Sequence, residues 1–266
     1  MKQVLTIAGS DSGGGAGIQA DIKAMSANGV FAMSAITAIT AQNTEEVTDI
    51  FDLPVSIIAA QIDAVFDDFD VAAVKTGMLS SAEIVTVVAQ LLKPQNVTNL
   101  VVDPVMISKS GHALLQPDAI EAVMKKLIPL ALVVTPNIHE AQQLSGIEIH
   151  TLADARKAAK IILKMGCRHV LIKGGHLLSD KGADLLYDGQ FFEVFTSEYI
   201  NTPHTHGTGC TYASAIAAHL ALGKPLSQAV TSAKSYTTEA IRHGLAIGHG
   251  KGPTNHFYFL SRRPEE

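Results

Sequence analysis

The stretch HTHGTGC, His204 to Cys210, sets two histidines, two glycines and a thiol before an apolar, alanine-rich run, TYASAIAAHLALG. Three chemistries suit those residue types. His204, His206 and Cys210 could ligate a metal. Gly207 and Gly209 could make a tight turn that packs a helix closely onto a sheet. The amides of Gly207, Thr208, Gly209 and Cys210 could form the free amino end of a helix that holds an anion. No fourth ligand lies in the stretch, and a turn accounts for the glycines but not the thiol. The anion reading uses every residue: four N–H groups and the helix dipole favour negative charge, and the same field is expected to lower the pKa of Cys210, making it a base or a neighbour of a reacting oxygen.

Further polar groups emerge where apolar runs finish: Asp103 in VVDPVM, Asn137 and Glu140 in TPNIHE, and Lys173 in LIKGGH. Singly, each has a structural role, as a turn former before Pro104, a helix cap, its capping-box partner and a solvated charge. Together they suit phosphate chemistry. Two carboxylates and an amide match Mg²⁺, which keeps several waters, and a strand-end lysine matches phosphate oxygens. The loop GSDSGGGAG, beginning at Gly9, fits neither nucleotide fingerprint. It has no lysine before Lys23, so it is no Walker loop, and Ile18 stands where the dinucleotide pattern needs its third glycine. It reads as backbone that lets a small ligand approach closely, with Asp21 and Gln42 supplying directional hydrogen bonds, or as a flexible lid or tight β-to-α turn.

These residues need a scaffold that gathers strand ends. VLTIAG, FAMSAITAIT, AAVKTG, NLVVDPVM, ALVVTPN and HVLIKGG read as strands apolar on both faces, the pattern of parallel strands covered by helices. Between them, GIQADIKAMSANG, SIIAAQIDAVFDDF, SAEIVTVVAQLLK, DAIEAVMKKLI and TLADARKAAKIILKMG carry helical spacing. GADLLYDGQFFEVF contains an Asp-Gly turn between apolar runs and predicts a hairpin, followed by helices over 208–222 and 225–246. The hairpin and the two consecutive helices interrupt the count of an eight-fold barrel, so an open doubly wound sheet is expected, with chemistry beyond the carboxyl ends of its strands. No linker divides the chain, and residues 1–266 are expected to form a single domain.

Composition narrows the partners. The 266 residues are 47% hydrophobic and 17% charged, with a net charge of −5 and no Lys/Arg run longer than two, which argues against nucleic acid or a membrane surface and for a small-molecule ligand. Two cysteines, Cys167 and Cys210, without paired spacing, suggest a reducing, cytoplasmic setting. The start, MKQVLTIAGSDSG, reads as a first strand rather than a signal peptide.

In this order, GSDSGGGAGIQADIKA, TAQNT, VVDPVM, TPNIHEAQQLSG, KGGH and HGTGC resemble the hydroxymethylpyrimidine/phosphomethylpyrimidine kinases of thiamine biosynthesis, within the ribokinase-like superfamily. The likeness runs over nearly the whole chain, and Cys210 after Gly-Thr-Gly sharpens it, because many relatives carry aspartate there. It implies a three-layer α/β/α sandwich with a mostly parallel sheet and a homodimer. It also implies ATP-dependent phosphorylation of 4-amino-5-hydroxymethyl-2-methylpyrimidine and then of its monophosphate. Carried over by position, Gly9, Asp21, Gln42, Met78 and Val105 would line the pyrimidine pocket. Asp103, Asn137 and Glu140 would organise Mg²⁺ and the phosphates, Lys173 would meet ATP, and Gly207, Thr208, Gly209 and Cys210 would form the anion hole. Some members carry glutamate at the position of Gln42. A pyridoxal kinase and a non-catalytic binding protein on the same fold are the alternatives, and no catalytic group of the family is missing.

Overall fold

The structure, a computed structural model, describes residues 1–106, 114–174 and 182–261. Six strands form a parallel array: β1 (Gln3–Asp11), β2 (Phe31–Gln42), β4 (Val71–Thr76), β5 (Leu100–Val102), β6 (Val133–Val134) and β7 (His169–Lys173). An antiparallel β3 (Val47–Asp52) flanks β2, and the hairpin β8 (Ala183–Tyr187) and β9 (Phe192–Thr196) extends the other edge. The nine strands make one sheet in the order β3-β2-β1-β4-β5-β6-β7-β8-β9. The expected hairpin turn is present: Asp188 accepts hydrogen bonds from the N–H groups of Gln190 and Phe191 at 2.7 and 2.6 Å, and Gly189 takes a left-handed φ of +99°.

Helices cover both faces. On one lie α2 (Val55–Asp68), α3 (Ala82–Leu92), α4 (Pro117–Ala122), α5 (Ile138–Ser145) and α6 (Leu152–Leu163); on the other lie α1 (Gly17–Ala27), α7 (Thr208–Ala221) and α8 (Leu226–Arg242). Alternation along β1 divides the core, with Leu5 and Ile7 facing the first layer and Val4 the second. Helix α7 is buried from Thr211 to Ala221, which explains its run of alanines: small side chains let it lie close to the sheet with α1 and α8 around it.

Three elements depart from expectation. Strand β3, VTDIFD, was not among the expected strands because half of its residues are polar and half are exposed, as on an edge strand. Its neighbour β2 is not apolar-buried on both faces; Phe31 and Ile39 are about half exposed. Helix α5 also lay outside the expected helices, its sequence IHEAQQLS having too few apolar positions to show a period.

Candidate active site

Because six strands run parallel, the carboxyl ends of β1, β4, β5, β6 and β7 open on one edge of the sheet, where a cavity of about 750 Å³ lies. Gly9, Gln42, Met78 and Val105 border it, as do Asn137, Lys173, Asp184 and Lys234, and Asp103 with Gly207, Thr208, Gly209 and Cys210. Asp21 alone of the expected site residues is not on it.

The amino end of α7 is fixed by glycine. Gly207 caps the helix at φ +77°, and a Cβ there would sit 1.7 Å from the carbonyl oxygen of Gly15. Gly15 is constrained in turn, since its Cβ would meet His206 Cδ2 at 2.2 Å. The first glycine-rich loop and the HTHGTGC loop therefore interlock backbone to backbone. Thr208 N–H turns back to Thr205 O at 3.3 Å, whereas the N–H groups of Gly209 and Cys210 have no partner among the described residues. A Cβ on Gly209 would lie 3.6 Å from Lys173 Nζ and 3.7 Å from Asp103 Oδ2, so helix end, ammonium and carboxylate surround one small volume.

The charges in that volume are balanced. Asp103 Oδ1 accepts from Lys173 Nζ at 2.7 Å and from Thr135 Oγ1 at 3.0 Å. Burial works against the Lys173 ammonium, but Asp103 and Glu140 outweigh it and hold its pKa above the ordinary value. Glu140 is the capping-box partner: its Oε2 accepts from Asn137 N–H at 2.8 Å while Asn137 Oδ1 accepts from Glu140 N–H at 2.9 Å. Burial pushes the Glu140 carboxyl up to about 7, with Asp103 adding to the shift and Lys173 opposing it. The structural role and exposure to the cavity thus coincide in one residue.

The expected thiolate is corrected. Burial, reinforced by Asp21 and Asp103, outweighs Lys75 and pushes the Cys210 thiol up to about 11. The helix end does not prevail, because desolvation of a half-buried sulfur beside two carboxylates costs more than a dipole recovers. The metal reading of HTHGTGC also fails. His206 Nε2 donates to Asp11 Oδ2 at 2.9 Å, and among the described residues no three His, Cys, Asp or Glu side chains gather as a metal cage. Two carboxylates, Asp103 and Glu140, suit a cation that takes most of its shell from water and phosphate, which is the habit of Mg²⁺.

Asp21 is likewise corrected as a direct ligand group. It lies on the inward face of α1, and its carboxylate accepts two bonds from Lys75 Nζ at 2.9 and 2.8 Å, one from Thr6 Oγ1 at 2.6 Å and one from Ser214 Oγ at 2.7 Å. Those four bonds leave no edge for a ligand. Lys75 was missed, although a lysine inside the apolar run AAVKTG is a signal of its own.

The other recognition groups face the cavity. Met78 is buried and packs where Gly9 leaves room, since a Cβ on Gly9 would be 2.6 Å from Met78 Cε; Val105 is half-buried beside it. Strand β1 slips register between Ala8 and Ser10, which is what presents Gly9 there. Gln42 Oε1 accepts from Thr40 Oγ1 at 3.1 Å, and its Nε2 stands 3.5 Å from His206 Nε2. That ring nitrogen donates to Asp11 and so faces Gln42 as a donor, and the Gln42 side-chain amide, which carries both an acceptor and donors, lies on the cavity wall. Burial would raise the Asp11 carboxyl, but hydrogen bonds from His206, Ala16 and Gly13 hold it below the ordinary range.

The tail completes the frame. Lys251 N–H bonds Thr44 O at 2.9 Å, while His206 N–H bonds Gly252 O at 3.1 Å and Thr254 N–H bonds His206 O at 3.2 Å, tying the loop after β2 to the anion end of α7. Asp184, a second residue that sequence reasoning missed, accepts from Gly174 N–H at 3.0 Å, Tyr212 at 3.0 Å and Lys234 at 2.7 Å, and so holds the start of the KGGH loop. The motif's last two residues, 175 and 176, lie outside the described residues.

Residues 11–255 match the family described as phosphomethylpyrimidine kinase. The chain belongs to that family. The kinase is 52% identical over 264 residues to the hydroxymethylpyrimidine/phosphomethylpyrimidine kinase of Haemophilus influenzae, covering 97% of this chain and 98% of that one. It is 49% identical over 253 residues to the thiamine biosynthesis bifunctional protein of Geobacter sulfurreducens, covering 95% of this chain and 52% of the larger protein. The structure of an ADP complex of Bacillus subtilis pyridoxal kinase matches it with a TM-score of 0.91 at 42% identity, over 98% of this chain and 99% of that one. The kinase is thus a transferase of thiamine biosynthesis on the ribokinase-like α/β fold.

Proposed function

We propose that the kinase, as a single-domain subunit, transfers the γ-phosphoryl group of ATP to the hydroxymethyl oxygen of 4-amino-5-hydroxymethyl-2-methylpyrimidine and then to the phosphate of the product. The observation that carries this reading is the pair of N–H groups, Gly209 and Cys210, which have no partner among the described residues and open beside Lys173 and Asp103 on the cavity wall. Phosphoryl transfer asks for alignment and charge stabilisation more than covalent help, and those groups supply it. In each step an acceptor oxygen bonds to the γ-phosphorus and the bridging bond to the β-phosphate breaks, its electron pair leaving on ADP.

Asn137, Lys173 and the end of α7 would meet the triphosphate, while Gln42, Met78 and Val105 would hold the ring. The Gln42 side-chain amide would hydrogen-bond the polar edge of the ring, and Met78 with Val105 gives an apolar wall. Asp103 and Glu140 would hold Mg²⁺, which supplies charge neutralisation to the phosphates when bound. Cys210 contributes its N–H and its bulk rather than a resting base, and the alcohol proton leaves late, to an oxygen of the transferred phosphoryl group and then to water, as a loose transition state allows. Work in the cytoplasm as a homodimer fits the family resemblance. The TM-score of 0.91 to a pyridoxal kinase favours one second reading, pyridoxal as an acceptor. Incubating the kinase with ATP, Mg²⁺ and either the hydroxymethylpyrimidine or pyridoxal, and following product mass, tests both; no phosphorylated pyrimidine would refute the main reading.

A further inference from the structure

The ion pair of Lys75 and Asp21 has no exposed surface on either side chain. Such a pair is costly to bury, and it stands where β4 and α1 meet beneath the active cavity. Its two ends are not equivalent. Lys75 borders the cavity and Asp21 does not, so the pair is a dipole with its positive end under the floor. Asp21 is pinned by Thr6 and Ser214 as well as by Lys75. The ammonium spends two of its three N–H groups on Asp21, and the third has no partner among the described residues. Gly77 keeps that side clear: a Cβ there would stand 2.7 Å from Lys75 Nζ. Burial works against the ammonium, but Asp21, with Asp103 adding to it, holds it protonated, and its charge reaches both Cys210 and Asp103.

Resting on the two-acceptor reading above, we propose that Lys75 is a specificity-determining cation that admits the phosphate monoester as second acceptor. A monoester brings about −1.5 to −2 charges to the point of transfer, where the alcohol brings none. The other two ammonium groups on the wall are also paired, Lys173 with Asp103 at 2.7 Å and Lys234 with Asp184 at 2.7 Å, but both of those carboxylates border the cavity with their lysines, whereas the carboxylate that pairs with Lys75 does not. In the second step a phosphate oxygen of the monoester bonds to the γ-phosphorus, the bridging bond to ADP breaks, and no alcohol proton has to leave. Lys75 offsets the added charge through the low-dielectric floor, where water does not screen it.

The test measures single-turnover rates with ATP and Mg²⁺ on the hydroxymethylpyrimidine and, separately, on its monophosphate. Lys75→Met should slow the monophosphate step about 100-fold and the alcohol step less than about 10-fold. The double variant Asp21→Asn with Lys75→Met removes both charges, leaves no unpaired buried ion, and should show the same selectivity if the single variant does not fold. A third measurement needs no variant: the wild-type kinase should bind the monophosphate at least about tenfold more tightly than the alcohol. Equal losses on the two acceptors in a folded variant, or equal wild-type affinities where neither variant folds, would overturn the role of Lys75. Wild-type inactivity toward both acceptors would instead overturn the reading on which it rests.

Discussion

Adding one methyl group at Gly207 should disable the anion end of α7, and adding it two residues later should do so by a different route. At Gly207 the backbone is left-handed, φ +77°, which costs an ordinary residue about 1–2 kcal/mol. The larger effect is steric. The new Cβ would be 1.7 Å from Gly15 O, and a carbon–oxygen contact needs more than about 3 Å, so one of two interlocked backbones must retreat by roughly 1.5 Å. A displacement of that size at a phosphoryl-binding loop costs on the order of 100-fold in turnover. Gly207→Ala should therefore lower Tm by several degrees, about 2–4 °C per kcal/mol for a chain of this size, and reduce kcat at least about 100-fold. At Gly209 a Cβ meets only ordinary contacts, 3.6 Å from Lys173 Nζ and 3.7 Å from Asp103 Oδ2. Gly209→Ala should keep its Tm yet occupy the volume between helix end, ammonium and carboxylate, and so lose turnover. ADP release in a coupled assay, with thermal unfolding in parallel, reads both. Full activity in folded Gly209→Ala would refute the assignment of that volume to the transferring group, and an unshifted Tm in Gly207→Ala would refute the interlock.

Gln42→Leu should weaken pyrimidine binding by roughly 1–3 kcal/mol and leave ATP binding unchanged, measured by calorimetry with each ligand, because the polar contact proposed for the pyrimidine is the one lost. A thiol at about 11 is ionised to roughly one part in ten thousand at pH 7, so alkylation of Cys210 in the empty kinase should climb about tenfold per pH unit up to that value, and Cys210→Ala should slow both phosphorylations alike; a plateau near pH 7 would restore the thiolate base. Burial holds His256 neutral, down at about 4 from an ordinary 6.5, so the unfolded chain binds the extra proton first; the stabilisation is complete above pH 6.5 and is lost as pH falls toward 4, and His256→Gln should flatten part of that decline in a Tm-against-pH series.

The parallel strands, the hairpin and the two last helices were legible because each is declared by its own residues: continuous apolar runs, an Asp-Gly turn, an alanine-rich stretch. Asn137 and Glu140 were legible twice over, as a capping box and as polar groups at a strand end, and the structure realises the first while placing both on the cavity wall. Strand β3 and helix α5 were hidden because each buries too little apolar surface to impose a period. The direction of the Cys210 shift was hidden for another reason. A helix end can be read from Gly-Thr-Gly, but the desolvation that outweighs it depends on what α1 and the strand ends bring around the sulfur, which no local spacing records.

The Lys75–Asp21 pair lies between those cases. Its partners come from four elements, Thr6 on β1, Asp21 on α1, Lys75 on β4 and Ser214 on α7, and no local motif announces such a contact. Yet each charge sits at a position its own element must bury. Asp21 lies three residues after Ile18 and four before Met25, on the inward stripe of α1, and Lys75 follows Ala73 and Val74 in a strand covered on both faces. A lone charge cannot stay ionised in either place, so each position calls for an opposite partner in the core. Among the described residues of the first half, Asp11, Asp21 and Asp103 are buried carboxylates and Lys75 is the buried ammonium; Asp11 is bonded to His206 and Asp103 to Lys173, and Asp21 is the one that Lys75 meets with two bonds. The pairing costs Asp21 any direct contact with a ligand, and it leaves Lys75 as the end of the pair that borders the cavity.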